Sequence, residues 1–147
     1  MEGRKAGSRL SHPALTERII AAAVAVHREL GPGFLEAIYE EALAIEFEAA
    51  KLSFQRQKTV PVLYRGHSIG EHRLDFLVAN VAVVELKATK ALEDVHFAVV
   101  RSYLKACQLE TALLLNFATM PLTIRRVGRE PSFYSESSII QETPELD

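Results

Sequence analysis

Cysteine is nearly absent from this sequence. Its 147 residues include a single one, Cys107, which excludes an internal disulfide and a cysteine-rich zinc site. Long apolar runs are missing as well. No stretch approaches the ~20 apolar residues that a membrane helix needs. The basic start, with Arg4, Lys5 and Arg9, leads into no run of signal-peptide length. The expectation is a soluble, cytoplasmic protein with no membrane partner. No internal repeat is visible. Hydrophobic residues make up 48% and charged ones 24%, close to globular averages, which excludes a wholly disordered or collagen-like chain. The length suits one domain.

Charge of one sign is also missing, since the net value is only −2. The distribution is less even. Residues 130–147 hold Glu130, Glu136, Glu142, Glu145 and Asp147 with no lysine or arginine, so the rest of the chain stands at +3. Nucleic acid therefore stays open as a partner. Lys51, Arg56, Lys58, Arg65 and Arg73 form a candidate phosphate-tracking surface or an ordinary solvated face.

Three segments follow from composition: a flexible N-terminus over 1–15, a folded domain over 16–128 and an acidic tail over 129–147. Within the domain, Ile19, Ile20, Ala23, Val24, His27 and Leu30 recur at helical steps, with Thr16 as the expected N-cap. Gly31-Pro32-Gly33 stops that helix. A second helix is expected over 34–51, its apolar side made by Phe34, Ile38, Leu43 and Phe47. Strands follow over 59–64, 68–78 and 81–87, then a helix over 92–107 with Leu92, Val95, Val99, Tyr103 and Ala106 on one side. Strands over 111–117 and 122–127 close the order ααβββαββ. Pro61 marks the first strand as an edge. The one crossover helix implies a parallel central pair, hence an α/β fold with a mixed sheet flanked by helices.

Two strands carry charge where apolar residues belong. Glu85 and Lys87 share a face at the end of an otherwise apolar strand. Asp75 sits in the preceding one, expected opposite a face shared by Leu74, Phe76 and Val78. Buried charges of this kind must pair or hold a metal. Two carboxylates and a lysine suit phosphodiester hydrolysis assisted by Mg²⁺, an ion that takes one or two protein carboxylates and keeps several waters. The Leu86 carbonyl offers a further ligand. For Asp75 and Glu85 to face one cation, the connection must have an odd length. A loop of Ala79-Asn80-Val81 pairing Val78 with Ala82 is the simplest, with φ > 0 at Asn80 or its neighbour; a β-bulge is the alternative.

Asp75, followed after nine residues by Glu85-Leu86-Lys87, resembles the core motif of the PD-(D/E)XK nuclease superfamily. Gly33-Phe34-Leu35-Glu36-Ala37-Ile38-Tyr39 matches the pattern that names the GxxExxY family within it. The stretches Val26-His27-Arg28-Glu29-Leu30-Gly31-Pro32-Gly33, Val60-Pro61-Val62 and Leu114-Leu115-Asn116-Phe117 are similar to that family too, from about Thr16 to Val127. The resemblance implies a restriction-endonuclease-like core and a metal-dependent nuclease acting on DNA or RNA, with DNA favoured. Asp75, Glu85 and the Leu86 carbonyl would hold Mg²⁺ or Mn²⁺, Lys87 would assist the water, and Glu36 would complete the acidic site. A homodimer is left open. One position departs from the pattern: Val99 stands where the family commonly has a glutamine.

Plainer readings exist for each residue. The helix dipole alone favours Glu36 in a first turn, and Glu40, one turn on, is an alternative acid. Glu85 and Lys87 can be a strand-end ion pair, and Asp75 can pair with Arg73. His27 suits a hydrogen-bonded core role, and Tyr39 and Tyr103 suit packing. The alternative function is a non-catalytic nucleic-acid-binding or partner-binding module that retains the nuclease fold.

Overall fold

The computed structural model describes residues 12–129. Most of the expected flexible start and of the acidic tail thus lie outside the described residues. Helix α1 (Pro13–Leu30) and helix α2 (Glu36–Ala49) precede strands β1 (Phe54–Tyr64), β2 (His67–Val78) and β3 (Ala82–Lys87). Helix α3 (Asp94–Cys107), strand β4 (Thr111–Asn116) and strand β5 (Thr123–Gly128) complete the expected order.

Pro13 opens α1, where its missing N–H costs nothing. Residues 13–15 are therefore helical rather than part of a flexible start, and Thr16 is not the N-cap. Its hydroxyl donates to the Pro13 carbonyl at 3.1 Å and accepts from Arg126 at 2.7 Å, which ties α1 to β5. Gly31 and Gly33, at φ 69° and 116°, turn the chain into α2 in a conformation that side chains resist. The buried seam of α2 runs through Tyr39, Leu43 and Phe47. Phe34 and Ile38, expected in that seam, are about half exposed. A seam at steps of four shifts the buried face around the helix relative to the expected one.

The five strands form one sheet in the order β1-β2-β3-β4-β5. Strand β3 runs parallel to β4, joined by the α3 crossover, and every other neighbouring pair is antiparallel. Strand β1 is an edge, as Pro61 requires. It begins at Phe54, earlier than expected, because the polar run Gln55–Lys58 on an exposed edge lacks the apolar pattern of a strand. Helices α1 and α2 cover one face, where Phe76, Val78, Ala82, Val84, Leu86, Leu113 and Leu115 meet Ile19, Val26, Tyr39 and Phe47. Helix α3 alone covers the other, where Val100 and Leu104 pack on Leu74, Leu77, Val83, Ala112 and Leu114.

The stripe expected to be the core face of α3 is only its margin. Val95 is 58% exposed, while the deep residues are Val100 and Leu104. Val99 and Tyr103, one turn apart, lie beside that line rather than on it.

Candidate metal centre

The turn between β2 and β3 has the odd length that a shared site requires. Val78 pairs with Ala82, and Ala79 and Asn80 adopt φ of 53° and 59°. Continuing that register places Asp75 opposite Glu85. The ladder stops one pair earlier, at Phe76 and Val84, because the Leu86 N–H donates to Asp75 Oδ2 at 2.9 Å. The side chain has taken over a backbone partner, and the strands part around it.

Val83 packs beneath α3, whereas Val84 and Leu86 face α1 and α2. Alternation therefore puts Glu85 and Lys87 on the α3 face. The Asp75 and Glu85 carboxyls lie within hydrogen-bonding range of one another. Glu85 is buried, its Oε2 is 3.6 Å from Lys87 Nζ, and its Oε1 has no hydrogen-bond partner. Burial first, and the Asp75 charge second, push the Glu85 carboxyl up to about 8 despite the nearby Lys87. Burial also raises Asp75, against the pull of the Leu86 N–H. Two acids held this close cannot both ionise cheaply without a cation between them.

Glu36 stands exposed in the first turn of α2, and its charge raises both members of the pair. Its placement depends on Tyr39. That phenol donates to the Gly31 carbonyl at 2.6 Å and accepts from the Phe34 N–H at 3.1 Å, while its ring stacks on Phe117 at 4.6 Å. The tyrosine of the Gly33–Tyr39 motif thus anchors the turn that delivers the glutamate. Asn116 does similar work after β3, where its buried amide bonds the Thr89 N–H and carbonyl.

Gln57 was not anticipated from sequence. It sits across from Asp75 on β1 with φ 49°, and its amide donates to Glu40 at 2.8 Å and to Asp75 Oδ1 at 3.4 Å. Glu40 is held in turn by Arg56 at 3.1 Å, and Arg56 also bonds Glu41 at 2.6 Å. Those carboxylates claim Arg56, which removes it from the candidate phosphate-tracking surface. Glu40 reaches Asp75 only through Gln57. Tyr103 borders the pair from α3, its phenol pushed up to about 12 by burial and by Glu85 and Asp75.

The histidines stand apart from this pair. His27 Nε2 bonds the Thr119 carbonyl at 2.9 Å within the core, as expected. His96 Nδ1 accepts from the Glu93 N–H at 2.8 Å in a capping box at the start of α3.

The donors fit a hard divalent cation. They are carboxylates, one oxygen lacks any partner, and Mg²⁺ needs only one or two of them when water fills the remaining positions. Among the described residues no cluster of three or more His, Cys, Asp or Glu side chains forms a candidate metal cage. The Leu86 carbonyl leaves its strand on the same side as the N–H that bonds Asp75, since both groups of a strand residue face the same neighbour.

A mixed sheet between two helical layers, with paired carboxylates and a lysine where its strands part, is the architecture of restriction-endonuclease-like proteins. Residues 13–127 match the model of the PD-(D/E)XK nuclease superfamily, and the chain belongs to that superfamily. Its members are typically nucleases that act on nucleic acid and generally use divalent metal ions. The fold is also similar to the crystal structure of SSO0001, with a TM-score of 0.52 at 15% identity. That match takes in 70% of this chain and 52% of the other, and at this identity it speaks to the fold alone. No curated protein sequence matches the chain. Among the described residues no helix is long and apolar enough to cross a membrane.

Proposed function

We propose that the chain is a nuclease of the GxxExxY group that hydrolyses phosphodiester bonds in DNA, in preference to RNA, with Mg²⁺ or Mn²⁺. The observation that supports this best is Glu85 Oε1, a buried acceptor without a donor, beside Asp75 and Lys87. An inert module would carry the cost of that desolvated oxygen for nothing.

In this reading Asp75, Glu85 and the Leu86 carbonyl are the ligands. A divalent cation bound there supplies Lewis acidity toward the phosphate and an acidified water. Asp75 is oriented from two sides, by the Leu86 N–H and by Gln57. Glu85 sheds its proton as the cation binds, so affinity rises with pH. Lys87 carries its proton on Nζ, where it orients the attacking water and meets the growing negative charge on the phosphate oxygens. Glu36 adds an acidic group at the open rim, within reach of a second shell of water. The leaving oxygen takes a proton from solvent at that open side.

The test is a cleavage assay over labelled single- and double-stranded DNA and RNA, with Mn²⁺ titration calorimetry on the same protein. Wild type should bind Mn²⁺ and cut DNA, and Lys87→Ala should bind but not cut. Absence of a Mn²⁺ site that depends on Asp75 and Glu85 would favour the non-catalytic module.

A further inference from the structure

Strand β2 changes face at Asp75. Residues 74 and 76 of a regular strand share a face, yet Leu74 packs beneath α3 with Leu77, while Phe76 packs with Val78 against the other helices. The opposite strand does the same. Phe54 and Val60, an even distance apart on β1, pack on opposite faces, and the left-handed Gln57 lies between them. Both strands roll over together, so the pairing register is the same on either side of Gln57. Without the rollover, His72 and Asp75 would point to opposite sides of the sheet.

With it, both face α3 and share one surface. Tyr103 lies between them, its ring 4.7 Å from that of His72 and its phenol within the field of Asp75 and Glu85. Beyond Tyr103 is a cavity of about 290 Å³ between the β1 edge and α3. Pro61 and Leu63 give it apolar wall, His72 and Ser102 polar wall, and Lys105 and Gln108 a cation and an amide. No carboxylate lines it. The Ser102 hydroxyl has one proton, donated to the Val99 carbonyl at 2.6 Å. The 3.1 Å contact between Ser102 Oγ and His72 Nε2 therefore has the ring donating, which leaves Nδ1 of neutral His72 as an acceptor.

We propose that this cavity receives one unpaired nucleobase of the substrate, with the adjoining phosphate on Lys105. The proposal takes its ligand class from the nuclease reading. The volume suits a single base with its sugar, whereas a duplex presents its bases stacked and paired and needs a groove-sized surface. Mixed apolar and hydrogen-bonding walls match a base, and the lone cation without a carboxylate matches its phosphate. His72 lies three residues from Asp75, roughly 10 Å along the strand at the usual rise. The seated base is thus a few nucleotides from the scissile bond, and the preferred substrate is single-stranded or frayed at that place.

The experiment measures affinity of the full chain, in chelator, for a short labelled single strand, the same strand with abasic sites, and the matching duplex. Ala106→Trp fills the cavity, and the solvent-exposed Lys105→Glu tests the phosphate contact without disturbing the core. Ala106→Trp should weaken the intact single strand about tenfold and leave the abasic strand and the duplex unchanged. Lys105→Glu should weaken the intact and abasic strands alike and lower the salt slope by one to two, by roughly ~0.9 per phosphate contact. Should Ala106→Trp misfold, the wild-type preference for intact over abasic strand, together with Lys105→Glu, decides the matter. Equal binding of intact and abasic strands, or no strand binding at all, overturns the proposal. Base-dependent binding without metal-dependent cutting would sink the nuclease reading and leave the cavity standing. Cutting with base-independent binding would do the reverse.

Discussion

The two faces of the sheet are built to different ends. Beneath α1 and α2 the layer is apolar and aromatic, with Tyr39 stacked on Phe117 and Phe47 edge-on to Phe76 at 5.1 Å. The single polar hydrogen of Tyr39 goes to a turn carbonyl. Beneath α3 the layer is thinner, and its margin is where Asp75, Glu85 and Lys87 sit. One helix cannot cover a sheet face of five strands, and the uncovered end is where charge can be half-buried yet reachable. The thick face holds the fold, and the thin face holds the chemistry.

The sharpest break of that comparison is at the acid pair itself. Asp75→Asn, Glu85→Gln and Lys87→Ala should each lower metal-dependent cleavage by at least about 100-fold, the scale on which single charge-stabilising groups act. Circular dichroism should show the fold retained in all three. Full cleavage by any one of them would remove that residue from the site.

Next come the two cores. Phe117→Ala removes the ring under Tyr39, and should cost about 4–5 kcal/mol in denaturant unfolding, near the upper end for a fully buried aromatic. Leu104→Ala beneath α3 should cost about 2–3 kcal/mol, because a single helix can settle toward the sheet and shrink the cavity. Equal losses would mean that the α3 layer is as rigid as the other.

How far these features were legible in the sequence depended on whether they left a period behind. The order of elements, the parallel pair and the edge position of β1 all followed from apolar runs and from Pro61. The odd turn at Ala79-Asn80-Val81 followed from requiring Asp75 and Glu85 on one side. The rollover at Asp75 did not follow, because a strand that changes face keeps its residue types and loses only their alternation. Leu74 and Phe76 read as one stripe although they belong to different cores. Gln57 was hidden for a related reason: glutamine gives no hint of a left-handed backbone, unlike asparagine or glycine. Thr16 misled in the opposite way, since a good N-cap residue can also bond a carbonyl within the helix.

The thin face should also respond to pH where the thick face does not. Folded Glu85 keeps its proton to about pH 8, while the unfolded chain releases it near 4.5. Between those values the folded state binds more protons, so stability of the metal-free protein should fall as pH rises through that window and level off above it. The loss is on the order of a few kcal/mol. Asp75, raised as well, adds to it with the same sign. Thermal unfolding in chelator should show wild type melting lower at pH 8.5 than at pH 5. Glu85→Gln should flatten most of that slope, and a saturating divalent cation should reverse the loss by binding the ionised pair. An unchanged slope in Glu85→Gln would place the coupled proton elsewhere.

The smallest effect expected is at Gln57, where the two faces meet. Its backbone is held at φ 49°, a region that costs a residue with a Cβ about 1 kcal/mol relative to glycine. Its amide bridges Glu40 to Asp75, and such outer partners of metal ligands are worth about 10–100-fold in metal affinity. The two contributions oppose each other and can be separated. Gln57→Gly relieves the backbone and deletes the amide, so its melting temperature should hold or rise slightly while Mn²⁺ affinity falls about tenfold. Gln57→Asn also tolerates the left-handed backbone but is one methylene shorter, so it should hold its stability and lose the contact to Asp75. A residue that served only to shape the strand would show the reverse pattern, with both variants binding Mn²⁺ as wild type does. That result would leave Asp75 oriented by the Leu86 N–H alone and make the amide bridge incidental to the site.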